Sequence, residues 1–222
     1  MEIINFNKTK RKRKGGNHWL LPDPMRLIMT APSGSGKSNL LLNLVLQKNW
    51  LNWKKLYLIC PTSDQPLYDI LHEYGDEIGD ESIEFINDVD DGPDPDDLDP
   101  TFKNLIVYDD VFLDSQKNPA KIFSKGRHKN ADCIYLTQKY TQIPKVIRDN
   151  SNFLILFNGL DCHGIRGIHQ TWCAGDMSLE EFFTFFREAA KETFSFAVID
   201  LTSSVQDGRY RRGFDEFYVQ KN

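Results

Sequence analysis

Ala31-Pro32-Ser33-Gly34-Ser35-Gly36-Lys37-Ser38 is the stretch that decides the fold. Before it, Met25-Arg26-Leu27-Ile28-Met29-Thr30 reads as a buried strand. After it, Asn39-Leu40-Leu41-Leu42-Asn43-Leu44-Val45-Leu46 reads as a buried helix. Strand, glycine-rich loop and helix in that order are the context of a phosphate-binding loop. Gly34 and Gly36 lack Cβ, so the backbone can curl tightly around an anion. The helix beginning near Lys37 adds free N–H groups and the positive end of its dipole. Lys37 then reaches the β- and γ-phosphates, and the Ser38 hydroxyl is a candidate Mg²⁺ ligand. Ser33, Gly34, Ser35, Gly36, Lys37, Ser38 and Asn39 form the candidate nucleotide-binding set. The full pattern has glycine at its first position, where this chain has Ala31. A left-handed backbone there would cost about 1–2 kcal/mol.

Outward from the loop, apolar runs predict strands over Lys55–Cys60, Ser82–Ile86, Lys103–Tyr108, Asp132–Thr137, Asn152–Phe157 and Phe194–Leu201. Helical spacing predicts helices over Gln65–Tyr74, Lys117–Lys125, Pro144–Asp149 and Leu179–Lys191. No internal repeat is found. Near-continuous apolar strands alternating with helices predict an α/β fold, a mostly parallel sheet covered on both faces. Ligands on such sheets bind at the carboxyl ends of the strands. Trp19, just ahead of the first strand, is expected either to anchor the core or to pack near a nucleotide base.

Two further groups fall at strand ends. Leu105-Ile106-Val107-Tyr108 runs into Asp109-Asp110. In the second half of the nucleotide signature the first carboxylate holds Mg²⁺, so Asp109 is the candidate metal-side acid. Asp110 is free to polarise the attacking water. A switch that only binds nucleotide needs one acid, so the adjacent pair favours hydrolysis. Gln138 ends the following strand, where it can orient or sense the γ-phosphate. Cys162, His163, His169 and Cys173 fit no common zinc-ligand spacing, and no zinc site is expected of them.

At 222 residues the chain is most simply one domain, residues 17–222, behind a basic arm over residues 1–16. In that arm, six of the seven residues from Lys8 to Lys14 are basic. It reads as a nuclear import signal, a nucleic-acid contact or a solvated, disordered tail. Net charge is −5, but seven aspartates lie between Asp88 and Asp99, and removing them turns −5 into +2. The acidity belongs to that loop, read as solvated rather than metal-binding, and does not oppose a polyanionic partner. No apolar run approaches the ~18 residues of a membrane span, so no membrane insertion by this chain is expected. The first residues do not form a secretory signal. The four cysteines are not paired in spacing, and with Cys60 and Cys133 in apolar runs they suggest a reduced, intracellular setting.

The order of Ala-Pro-Ser-Gly-Ser-Gly-Lys-Ser, Leu-Ile-Val-Tyr-Asp-Asp, Gly-Arg-His-Lys-Asn, Ile-Tyr-Leu-Thr-Gln and Ile-Arg-Asp-Asn-Ser resembles the viral genome-packaging ATPases of the FtsK–HerA superfamily. Within it, the poxvirus-type ATPases of large DNA viruses and virophage-like elements are the nearest in pattern. The resemblance covers about residues 25–160. It implies a P-loop fold with an additional strand, in which the strand ending in Gln138 lies between those ending at Ala31 and Asp109. It also implies a homo-oligomeric ring that hydrolyses ATP with Mg²⁺ and pumps double-stranded DNA into a preformed capsid. The implied partners are DNA, neighbouring subunits and a capsid or portal-vertex protein, inside an infected host cell. Ala31 departs from the family's glycine, and Asp110 stands where the superfamily more often has glutamate. Such motors take an arginine from the neighbouring subunit. Arg127 is preferred for that role over Arg148. The rival readings are a plasmid or transposon DNA-transfer ATPase, a nucleoside or nucleotide kinase, and a non-hydrolysing nucleotide switch. A kinase would carry an arginine-rich lid, which the sequence lacks.

Overall fold

Near-continuous apolar strands, buried on both faces and ending in polar residues, build the centre of the sheet that carries the site. The computed structural model describes residues 16–61, 66–79 and 82–218. The basic stretch Lys8–Lys14 lies outside them. In chain order the elements are β1 (Arg26–Thr30), α1 (Lys37–Leu46), β2 (Lys55–Ile59), α2 (Pro66–Ile78), β3 (Ile83–Ile86), β4 (Asn104–Asp109) and α3 (Lys117–Lys125). They continue with β5 (Ala131–Thr137), α4 (Lys145–Asn150), β6 (Phe153–Phe157), α5 (Cys162–Ile168), α6 (Leu179–Ala189), β7 (Phe196–Asp200), β8 (Tyr210–Arg212) and β9 (Glu216–Phe217).

Among the described residues nine strands form one sheet in the order β3-β2-β4-β5-β1-β6-β7-β8-β9. β5 pairs in parallel with β4 on one side and β1 on the other, so the strand leading to Gln138 does lie between the other two. Side chains of a strand alternate between faces, which sorts the core into two layers. Leu27 and Met29 of β1 and Leu105 and Val107 of β4 pack with α1 and α2 through Leu41, Leu44, Tyr68 and Leu71. Ile28, Ile106 and Tyr108 pack on the other face with Ile122, Phe123, Ile147, Ile165 and Phe182 from α3 to α6.

The sheet is mostly parallel, as expected, and its antiparallel pairs are gathered at one side. β6 and β7 are antiparallel, as are β7 with β8 and β8 with β9. The reason lies in the connection. One crossover helix carries the chain back to the far edge of a sheet, whereas α5 and α6 together return it to the edge it left. β7 then starts where β6 ends, with Phe157 opposite Phe196. The short strands β8 and β9 have too few residues for periodicity to reveal them.

Buried polar pairs close the margins. Asp132, at the start of β5, accepts from the Met25 backbone N–H and the Asn17 amide at 2.7 Å each and pairs with Lys103 at 3.1 Å. The aspartate-rich loop is anchored by Val89 and Leu98, both buried. Asp88, Asp94 and Asp99 each accept a backbone N–H two residues ahead, the ordinary work of aspartate in turns. Among the described residues no cluster of His, Cys, Asp and Glu could hold a metal ion by itself. His169 instead meets the Met177 carbonyl at 2.8 Å, and Cys173 is buried, its thiol pushed up to about 12 by that burial.

Candidate nucleotide site

The loop between β1 and α1 adopts the curled form its glycines permit. Gly34 and Gly36 have φ of 75° and 96°, a region glycine enters without strain. Ala31 is not left-handed, so the strain considered for it does not arise. Its N–H instead extends the β1–β5 pairing by bonding to the Thr137 carbonyl at 3.1 Å. α1 starts at Lys37 with no side-chain cap and no acid in its first turn. Its first N–H groups therefore face no competing side-chain acceptor, as anion binding requires. Ser33 and Gly34 stand exposed at the loop tip, and Asn39 is exposed on the first turn of α1.

Lys37 is more enclosed than a surface-loop lysine, at 7% exposure. Its ammonium donates to the Ala31 and Pro32 carbonyls at 2.7 and 3.1 Å, while Ser35 Oγ donates to Pro32 at 2.7 Å. Burial lowers its pKa, and the charges of Asp110 and Asp109 oppose that shift. The two acids therefore lie within electrostatic reach of the loop.

Asp109, the last residue of β4, is buried at 4% exposure, and desolvation raises its pKa. Asp110 follows with φ 55°, a left-handed conformation that Asp and Asn tolerate better than other side-chain-bearing residues. Gln138 Nε2 donates to Asp110 Oδ2 at 2.6 Å, which ties the end of β5 to the end of β4. Asp110 Oδ1 is buried and has no hydrogen-bond partner among the described residues. A buried acceptor left open in this way marks a place for a donor such as water.

Tyr68 is the site residue that sequence reasoning missed. It is fully buried on α2, and its hydroxyl donates to Asp109 Oδ2 at 2.5 Å. The Ser38 side chain also interacts with the Tyr68 hydroxyl, so Ser38, Tyr68 and Asp109 lie together. In the sequence Tyr68 reads as one more apolar position of an amphipathic helix, and nothing local distinguishes it. Hydroxyl and carboxylate oxygens brought together are the hard donors Mg²⁺ prefers, so the donor set fits that ion. Partners that orient a metal ligand are typically worth 10–100-fold in metal affinity. Tyr68→Phe should therefore raise the Mg²⁺ concentration that gives half-maximal turnover by about tenfold or more, with metal-free nucleotide binding unchanged. An unaltered Mg²⁺ titration would leave Tyr68 a packing residue.

Other expected residues lie elsewhere. Arg127 is exposed on a 3₁₀ turn just before β5. Burial lowers the pKa of Arg26 at the start of β1, and the charge of Arg127 lies near enough to lower it further. That is the N-terminal edge of the sheet, the opposite edge from the acids. Arg148 lies over the Tyr140 ring, with its carbon 5.4 Å from the centroid. Trp19 does not anchor the core. It is 69% exposed, beside His18.

The β1 loop, the β4 acids and the β5 glutamine thus meet at the carboxyl ends of adjacent parallel strands. The same arrangement of strands and helices is found in the genome packaging NTPase B204 from Sulfolobus turreted icosahedral virus 2 in complex with ATP-gammaS. The TM-score is 0.55 at 14% identity, covering 82% of this chain and 94% of that one. The chain has the fold of B204. B204 in complex with sulfate aligns over 82% of this chain and 93% of that one, with a TM-score of 0.52 and 16% identity. The B204 of Sulfolobus turreted icosahedral virus, a DNA-packaging ATPase, gives a TM-score of 0.52 at 16% identity, covering 82% and 94%. No family model matches the sequence, and no curated protein matches it. The likeness to B204 is therefore one of fold, and the chemistry of this site has to be argued from its own residues. Among the described residues no helix is long and apolar enough to cross a membrane.

Proposed function

We propose that this chain is an ATP-hydrolysing motor subunit that drives double-stranded DNA into a preformed viral capsid. The observation that carries the reading is the convergence of Lys37, Ser38, Asp109, Asp110 and Gln138 at one point of a B204-like sheet. Lys37 exchanges loop carbonyls for phosphate oxygens when nucleotide enters. Ser38 and Asp109 are the residues that would hold Mg²⁺, which neutralises charge on the β- and γ-phosphates. Asp110 accepts the proton of the attacking water, and the Gln138 amide holds the Asp110 carboxylate in place. No arginine among these residues balances the γ-phosphate, and Arg127 faces away from its own site. In a homo-oligomeric ring it would serve the neighbour's site, completing each nucleotide centre only on assembly. Host-cell location and a capsid or portal-vertex partner follow from the packaging role.

The same reading requires DNA to stimulate hydrolysis, and the fold narrows which charges could bind it. Arg209, Arg211 and Arg212 form a basic cluster in sequence, but each is already paired. Arg209 meets Asp176 at 2.7 Å, Arg211 meets Asp200 at 2.6 Å with 2% exposure, and Arg212 meets Glu192 at 2.8 Å. Charges already paired in this way are poorly placed to bind DNA, and Lys8–Lys14 is the densest run of positive charge in the sequence. Each phosphate neutralised contributes about −0.9 to the slope of log affinity against log salt. Deleting residues 1–14 should therefore flatten the slope by several units and weaken DNA binding at low salt. An unchanged slope would remove the arm from the DNA contact, and hydrolysis indifferent to DNA would overturn the translocase reading.

A further inference from the structure

We infer that Phe194 is the platform on which the base of a nucleoside triphosphate stacks. The inference rests on the nucleotide-hydrolysis reading and adds to it the residue that grips the nucleoside. Three observations carry it. The first is direction. The γ-phosphate end of a bound nucleotide faces Asp109, Asp110 and Gln138, which come from β4 and β5 on one side of β1. The nucleoside must then leave the loop on the other side, toward β6. The second is position. A Cβ placed on Gly36 would lie 3.1 Å from Phe194 Cδ1 and 3.8 Å from Phe157 Cε1 at the end of β6. An aromatic ring therefore stands against the phosphate loop on the side where the nucleoside emerges.

The third is strain held in place. Phe194 is 65% exposed and has φ 65°, a left-handed conformation that a bulky side chain rarely adopts. It occupies the turn position that favours glycine. The turn is clamped around it. Ser195 N–H donates to the Glu192 carbonyl at 3.0 Å, and Ser195 Oγ donates to the same carbonyl at 2.7 Å and accepts from Glu192 N–H at 2.9 Å. Arg212 holds the Glu192 carboxylate at 2.8 Å. An exposed phenylalanine gains little from burial, so packing does not account for a ring fixed in a strained turn. Backbone strain that the surroundings hold in this way gathers at ligand clamps. Bases of any kind stack on such a ring, so ATP and GTP should use it alike.

The test uses the full chain with three substitutions and one base-free probe. Phe194→Ala should raise KM for ATP and for GTP about tenfold or more, in the range expected for loss of one stacked base, with kcat little changed. Inhibition by Mg·tripolyphosphate, which has no base, should stay as in wild type. Phe194→Gly should give the same KM defect with a thermal midpoint no lower than wild type, because glycine relieves the left-handed turn. Phe194→Trp should restore the wild-type KM. Wild-type KM in both Ala and Gly variants overturns the platform while leaving hydrolysis intact. A lower KM in either shows that the ring obstructs the loop, which also overturns it. A parallel loss of tripolyphosphate inhibition assigns Phe194 to loop packing instead. Wild-type protein that neither binds nor hydrolyses ATP overturns the function and the platform together.

Discussion

Lys37→Ala should abolish nucleotide turnover while the chain stays folded. Lys37 is the cation enclosed by the phosphate loop, 2.7 Å from the Ala31 carbonyl and 3.1 Å from that of Pro32. Its burial, which depresses its pKa, already works against keeping an ammonium there. Removing it leaves the Ala31 carbonyl short of one donor, at a cost of about 1–3 kcal/mol, while Pro32 keeps its bond from Ser35. A loss of that size lowers the melting midpoint of a chain this long by only several degrees. Activity should suffer far more, because Lys37 would stabilise the same developing charge as the arginine that is worth about 10³–10⁵ in rate in such sites. Circular dichroism should show the fold, and phosphate release should fall by about 10³-fold or more. Wild-type turnover in the variant would end the nucleotide reading. The same variant tests assembly. Lys37→Ala subunits retain Arg127, and Arg127→Ala subunits retain a complete loop. Each alone should be inactive, and a mixture should regain part of the activity at mixed interfaces. A mixture that stays inactive removes Arg127 from the trans role and transfers the test to Arg148.

The second large effect is expected at Asp110. Asparagine is the informative substitution, because it also tolerates the left-handed backbone that Asp110 adopts at φ 55°. It keeps the shape of the side chain and an oxygen for the Gln138 amide, now 2.6 Å from Asp110 Oδ2. It cannot take up a proton from water. Asp110→Asn should therefore bind Mg·ATP as wild type does and hydrolyse it at least ~10²-fold more slowly, the size of a general-base contribution. Loss of binding together with turnover would instead make Asp110 a metal ligand and exchange its role with that of Asp109. Alanine would be a poorer test, since left-handed strain and a lost bond to Gln138 would be mixed with the chemistry.

The residues of the site differ in how far the sequence reveals them. The phosphate loop is legible because its requirements are local. Two glycines supply the positive φ values, a lysine and a serine follow at fixed offsets, and an apolar strand and helix flank them. Asp109 and Asp110 are legible for the same reason, as polar residues that abruptly end an apolar strand. What lies between such signals is not written locally. Tyr68 has the spacing of an ordinary buried helix position, and only the packing of α2 on β4 brings its hydroxyl to Asp109. Arg209, Arg211 and Arg212 look like a free basic patch until Asp176, Asp200 and Glu192 arrive from other elements to neutralise them. Phe194 reads as the start of a strand, yet it sits in the preceding turn, and the return of the chain through α5 and α6 places it against Gly36. The sequence by itself determined the parallel α/β core and the chemistry at the strand ends, because backbone conformation and hydrophobic period act over a few residues. The tertiary structure alone decided the antiparallel margin, the partners of each charge and the ring beside the loop, because those depend on which distant segments share a surface.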